Sequence, residues 1–161
     1  LAQREQSRVE LRRKLLPHAR AEEAAAAELG APLPPEGAAA RVEALLDWLE
    51  AHRYLSQERF VESRVHARSA RFGNLRIRQE LKQHETALPA DAAQALRESE
   101  LQRAGSVRER KFATWPATPA ERARQARFLA GRGFSPDTIA RLLRQGCRAG
   151  GSGAPADDGP D

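Results

Sequence analysis

Three times along the chain a pair of apolar residues stands one helical turn apart, four positions after a turn or capping residue. The pairs are Leu11 and Leu15 after Ser7, Ile77 and Leu81 after Gly73, and Ile139 and Leu143 after Ser135. Residues at i and i+4 share one face of a helix, so each pair gives a short helix one narrow stripe to dock on its neighbours. An ordinary amphipathic helix can carry any single pair. Three copies favour an array of stacked helical units over a closed sheet.

The residues between the pairs fit that expectation. Alanine, leucine, arginine, glutamate and glutamine dominate, and these side chains lose little freedom in a helix. Only 5% of the chain is aromatic and no strand-type run occurs, so the fold class is all-α with a thin core. Ser7 with Glu10 at capping-box spacing opens a short helix through Leu16, and an alanine-rich helical segment follows over 19–29. Glycine and prolines then mark a linker over 30–39. Val42, Leu45, Leu46 and Leu49 follow the i, i+3, i+4, i+7 template. A tight connection at 52–55 leads to a helix opened by Ser56, with Phe60, Val61 and Val65 apolar, and a third helix starts at Asn74. Beyond Pro89 a long polar helix is expected over about 91–112. Thr118, Pro119 and Glu121 form an N-terminal cap for the next helix, and Ser135 opens the last. The predicted organisation is a partial first repeat plus the alanine-rich helix at 1–29, the linker at 30–39, three-helix repeats at 40–88 and 89–145, and a disordered tail at 146–161. The run from Trp48 to Tyr54 also aligns with that from Phe128 to Phe134, as aromatic, leucine, four polar or small residues, aromatic. Because the two runs fall in different helices of their units, a shared turn explains the match as well as homology does.

No constellation for chemistry stands out. His18, His52, His66 and His84 are scattered without metal-ligand spacing to one another or to Cys147. The run Gly131, Arg132, Gly133, Phe134 lacks the further glycine and the preceding strand of a nucleotide fingerprint. Cys147 heads the expected tail, where no base or oxyanion hole is fixed. The expectation is no enzyme, no cofactor and no metal site. No apolar run is long enough to span a membrane and no secretory signal is visible, which with a single cysteine places the chain in the cytoplasm. With no methionine and a start at Leu1, the native N-terminus is expected to be missing.

Charge is the remaining feature. The net charge is +5, and removing the tail from Gly146 takes away one base, Arg148, and three acids, Asp157, Asp158 and Asp161, so the body is more basic than the whole. All but three of the 27 bases are arginine, a bias that a GC-rich genome would also produce. Arg64, Arg68, Arg71, Arg76, Arg78 and Lys82 nevertheless face a single acid, Glu80, and the first three fall on one helical face. A second cluster holds Arg122, Arg124, Arg127, Arg132, Arg141 and Arg144. Such arginines pair with phosphates or with carboxylates of a protein partner, unless they are simply a solvated face. From these clusters Arg64, Arg68, Arg71, Arg76, Arg78, Lys82, Arg127, Arg132, Arg141 and Arg144 are the candidate partner- or DNA-binding residues.

Four ordered segments resemble successive signatures of the RecX family of recombinase regulators. They are Arg4-Glu5-Gln6-Ser7-Arg8-Val9-Glu10-Leu11, Tyr54-Leu55-Ser56-Gln57-Glu58-Arg59-Phe60-Val61-Glu62-Ser63, Leu75-Arg76-Ile77-Arg78-Gln79-Glu80-Leu81, and Phe128-Leu129-Ala130-Gly131-Arg132-Gly133-Phe134-Ser135. The resemblance implies tandem three-helix repeats in an elongated, curved molecule that lies in the groove of the RecA–DNA filament. There, as a monomer, it would oppose filament growth, ATP hydrolysis, strand exchange and co-protease activity in DNA repair, recombination and the SOS response. The partners implied are RecA and single- or double-stranded DNA. Ser56 and Gln57 depart from the acids usual after the Tyr-Leu step, and the first repeat lacks its opening helices. The rival expectation, from the residues alone, is a free-standing DNA-binding protein that lays the helix over 73–84 in the major groove, where Asn74 and Gln79 are its few base readers.

Overall fold

The computed structural model describes residues 4–150, with side chains up to Gly146. Among the described residues there are seven helices and no strand: α1 (Arg8–Glu28), α2 (Ala38–Ala51), α3 (Gln57–Ser69), α4 (Asn74–Gln83), α5 (Ala90–Glu109), α6 (Pro119–Gly131) and α7 (Pro136–Gly150). Packing groups them into two units. The first takes residues up to Val65 together with Glu80–Ala87, and the second takes His66–Gln79 and residues from Leu88 onward, so α3 and α4 each contribute to both.

In the first unit the expected short helix and alanine-rich segment are one helix, α1, which runs through Pro17. Proline removes one backbone donor and usually kinks or breaks a helix. Here Leu11, Leu15, Leu16 and Ala19 hold both sides of it against Val42, Leu46 and Leu55 in a single core. The alanine-rich part also supports its neighbour. Glu23 accepts the backbone N–H of Ala38 at 3.1 Å and so caps α2, whose own N-cap, Gly37, has no side chain. The Ser7 and Glu10 capping box forms as its spacing predicts, and Ser56 accepts the Arg59 N–H at the head of α3. Arg8 reaches Glu43, Asp47 and Glu50, three acids on one face of α2. Hydrogen bonds from Arg12 and Arg8 hold the Glu43 carboxyl down at about 2.

The second unit has its core at Ala104, Val107, Leu129, Phe134, Ile139, Leu142 and Leu143, contributed by α5, α6, α7 and the turn between the last two. The Thr118 and Glu121 capping box with Pro119 starts α6 as expected. Helix α7 does not stop at Gly146 but continues to Gly150, so residues 146–150 of the expected tail are helical. The bare backbone of Gly146 lies against the Trp115 ring; a Cβ there would stand 1.9 Å from a ring carbon. Cys147 therefore lies on helical backbone, and residues 151–161 of the expected tail lie outside the described residues.

The two aligned runs end in the same turn. Tyr54 N–H bonds to Leu49 O at 2.9 Å and Phe134 N–H to Leu129 O at 3.2 Å, with Arg53 (φ 60°) and Gly133 (φ 80°) in the left-handed region. This is the Schellman ending of a helix, and it accounts for the likeness between the two runs.

A buried carboxylate from α5 organises the second unit. Glu100 Oε1 accepts the backbone N–H groups of Asn74 (3.0 Å) and Ser135 (3.3 Å), and Oε2 accepts the hydroxyls of Ser135 and Thr138, both at 2.8 Å. One side chain thus caps both α4 and α7. One turn along α5, Arg103 donates to the carbonyls of Ser69, Phe72 and Leu96 and to Asn74 Oδ1. Between these caps the backbones of two turns touch. Gly73 N–H bonds to Arg132 O at 2.9 Å and Leu75 N–H to Gly133 O at 3.0 Å, and a Cβ on Gly73 would stand 2.2 Å from Phe134 N.

Burial alone pushes the Glu100 carboxyl up, but the hydrogen bonds from Asn74, Ser135 and Thr138 outweigh it and hold the group below its usual value. Its contribution to stability is therefore fully present above the unfolded carboxyl value of about 4.3, and it is lost as pH falls through the lower folded value. Glu100→Gln should destabilise the chain by about 2–4 kcal/mol in urea titrations near neutral pH. The gap from the parent should narrow in acid. Gly73→Ala should cost about 1–3 kcal/mol through forced separation of the two turns. Parental melting of both variants would refute this account of the joint.

Candidate functional site

The turn that Arg103 and Glu100 hold in place carries Phe72, a half-buried ring surrounded by cations. The guanidinium carbons of Arg76, Arg68, Arg132 and Arg71 lie 4.9, 5.7, 5.7 and 6.0 Å from its centroid. Arg132 also stands 5.2 Å from the Phe128 centroid. Phe128 meets Phe112 edge to face at 5.3 Å, and Arg124 lies 5.8 Å over Phe112. The second unit thus carries a run of alternating rings and guanidinium groups. Each contact between a cation and a ring face contributes about 0.5–1 kcal/mol at an exposed site. Four like charges gathered on one ring repel one another, and an anion bound among them would relieve that repulsion.

Of the predicted residues, this face brings together Arg68, Arg71, Arg76 and Arg132. Among the described residues, Arg71, Arg76 and Arg132 make no ion pair. Arg64 belongs to a different arrangement, in the first unit. It bonds to Glu10 at 2.9 Å and to Glu80 at 3.3 Å and lies over the Phe60 ring, with only 19% of its side chain exposed. Those bonds make it a structural tie. Arg78 and Lys82 are exposed on α4, and Arg141 on α7. Arg127 and Arg144 line a separate groove with Arg122, also in the second unit.

Phe72, Phe112 and Phe128 are not marked as site residues by charge or spacing alone. Each directly follows a base, as Arg71-Phe72, Lys111-Phe112 and Arg127-Phe128, but so does the buried Phe60 after Arg59, so the pattern alone does not single them out. Aromatic side chains interleaved with bases are what strand-tracking nucleic-acid surfaces use. Glu100 and Arg103, which fix the turn, look like ordinary surface charges of a polar helix. Arg108 is equally hidden: it is 2% exposed, stacks 3.8 Å from the Trp115 ring and bonds to Gln125 and to the Thr114 carbonyl.

No group of three or more histidine, cysteine, aspartate or glutamate side chains that could hold a metal occurs among the described residues. No helix among them is long and apolar enough to cross a membrane. The arrangement suits binding of an extended anion.

Residues 98–143 match the family model of the third three-helix domain of RecX. Over 163 aligned residues the chain is 43% identical to the regulatory protein RecX of Ralstonia nicotianae, covering all of this chain and 88% of that protein. It is 47% identical to the regulatory protein RecX of Leptothrix cholodnii over 148 residues, with coverage of 89% and 82%. The regulatory protein RecX of Herbaspirillum seropedicae is also 47% identical, over 141 residues, with coverage of 86% and 80%.

Replacing Arg76 and Arg132 together by alanine should weaken binding to single-stranded DNA and lower the slope of log K against log salt by about 0.7 for each phosphate no longer neutralised. Arg64→Ala should leave that slope unchanged and instead reduce stability by about 1–3 kcal/mol. Fluorescence anisotropy across a salt series, with thermal melting alongside, separates the two. An unchanged slope in the double variant would rule the Phe72 face out as the anion site.

Proposed function

The chain belongs to the RecX family of regulatory proteins, and on that premise we propose that it is a negative modulator of the RecA recombinase. It binds the RecA–DNA filament and opposes filament growth, ATP hydrolysis, strand exchange and co-protease activity. The observation that carries this reading is the gathering of Arg68, Arg71, Arg76 and Arg132 around Phe72. A filament on DNA offers phosphates and carboxylates over a long repeating surface, and guanidinium groups pair with both. A bound modulator acts by occupying lattice and blocking addition of subunits, so no bond of a substrate has to be broken. The chain works in this reading as a monomer in the cytoplasm.

The rival, a free-standing helix-turn-helix protein with α4 in the major groove, loses one of its few base readers. Asn74 is 6% exposed, donates to Leu96 O at 3.1 Å and accepts from Arg103 at 2.5 Å, so its amide is engaged inside the fold. Gln79 and Gln83 stay exposed on that helix, few asparagine or glutamine readers for selecting base pairs.

The test is DNA-stimulated ATP hydrolysis by RecA with the chain added below stoichiometry, beside its DNA binding alone. The expected result is loss of hydrolysis out of proportion to the amount added, weakened roughly tenfold when Arg68, Arg71, Arg76 and Arg132 are replaced together by alanine. Unaltered hydrolysis combined with tight, sequence-selective duplex binding would overturn the proposal.

A further inference from the structure

Helices α6 and α7 leave a second feature that the Phe72 face does not use, an open groove of about 620 Å³. Its floor is apolar. Helix α6 presents Ala126 and Ala130 one turn apart, α7 presents Ala140 above the buried Ile139 and Leu143, and Leu75, 52% exposed, stands at the wall. Its charged lining is of one sign: Arg122, Arg127 and Arg144, with no carboxylate. Arg122 has a partner of its own, so Arg127 and Arg144, both exposed, are the cations the groove offers.

These properties select among ligands. A nucleic-acid strand wants aromatic faces or polar groups beneath its bases, and here the floor is aliphatic, with Phe134 only 1% exposed. The alanines on facing helices let a backbone approach closely, and the aliphatic floor then accepts one or two branched side chains of a visiting segment. Helix-in-groove docking uses anchors at i, i+3 or i+4. The cations on the rim want carboxylates on the flanks of the same segment. We propose that the groove between α6 and α7 binds an acidic amphipathic segment of a protein partner, its aliphatic anchors against Ala126, Ala130 and Ala140 and its carboxylates on Arg127 and Arg144. In assigning that partner to the recombinase filament the inference rests on the proposed function; the chemistry of the groove does not.

The test uses the full chain and two labelled helical peptides with the same leucines at i, i+3 and i+7, one flanked by glutamates and the other by lysines. The glutamate peptide should bind saturably, at roughly 10–100 µM for so small a contact, and the lysine peptide at least tenfold more weakly. Ala130→Glu and, separately, Arg127→Glu with Arg144→Glu should each weaken the glutamate peptide tenfold or more with parental melting, since all three side chains are exposed. Equal binding of both peptides, or an unchanged affinity in the charge-reversed variant, overturns the proposal. The same variants in the RecA hydrolysis assay keep the two readings apart. A parent that fails to inhibit refutes the recombinase reading and leaves the groove to be judged on the peptides. A parent that inhibits, with variants that inhibit equally, overturns the groove as the filament contact while the recombinase reading stands.

Discussion

One buried carboxylate holds the second unit in register. Every helix start leaves N–H groups without partners inside the helix, and α4 and α7 meet this need through the same side chain, Glu100. Two helix starts that share an acceptor cannot move independently, so the turns preceding them are brought backbone to backbone. Arg103 plays the complementary part, collecting carbonyls that the end of α3 leaves open. Burial lowers the proton affinity of Arg103, and Glu100 beside it partly restores it. Because both charges sit one turn apart on α5, a single helix fixes the turn that carries Phe72, and with it the place where the outward arginines gather.

Much of this is legible in local sequence. The capping boxes at Ser7 and Thr118, the apolar pairs and the proline and glycine punctuation all act within a few residues of themselves, and they mark α2, α6 and the start of α7 correctly. What stays hidden acts over long separations. Glu100 bonds to residues 26 and 35 positions away, and nothing around it distinguishes it from Glu98 or Glu109. The passage of α1 through Pro17 has the same origin, since it is decided by what packs alongside, the core around Leu46.

The arginines show why counting charges could not locate the site. In this chain the same residue type serves as a tie to carboxylates (Arg8, Arg12, Arg64), as a half-buried or buried donor to carbonyls (Arg103, Arg108) and as an outward cation (Arg71, Arg76, Arg127). A guanidinium has five donors in a planar fork and a weakly hydrated face, which fits it for all three. A genome that favours arginine supplies the type, and the fold decides the use.

The contact between the Gly73 and Gly133 turns carries a further consequence. Each glycine is required by the other's surroundings: a Cβ on Gly73 meets the backbone of Gly133 and Phe134, and one on Gly133 meets Arg76. Once either side chain has pushed the turns apart, the second finds the space already open. The two positions are therefore coupled, and damage at both should sum to less than its parts. The release is one-sided: a lineage that lost Gly133 would feel less steric pressure to keep Gly73, whereas the left-handed backbone at Gly133 favours glycine whatever stands at Gly73.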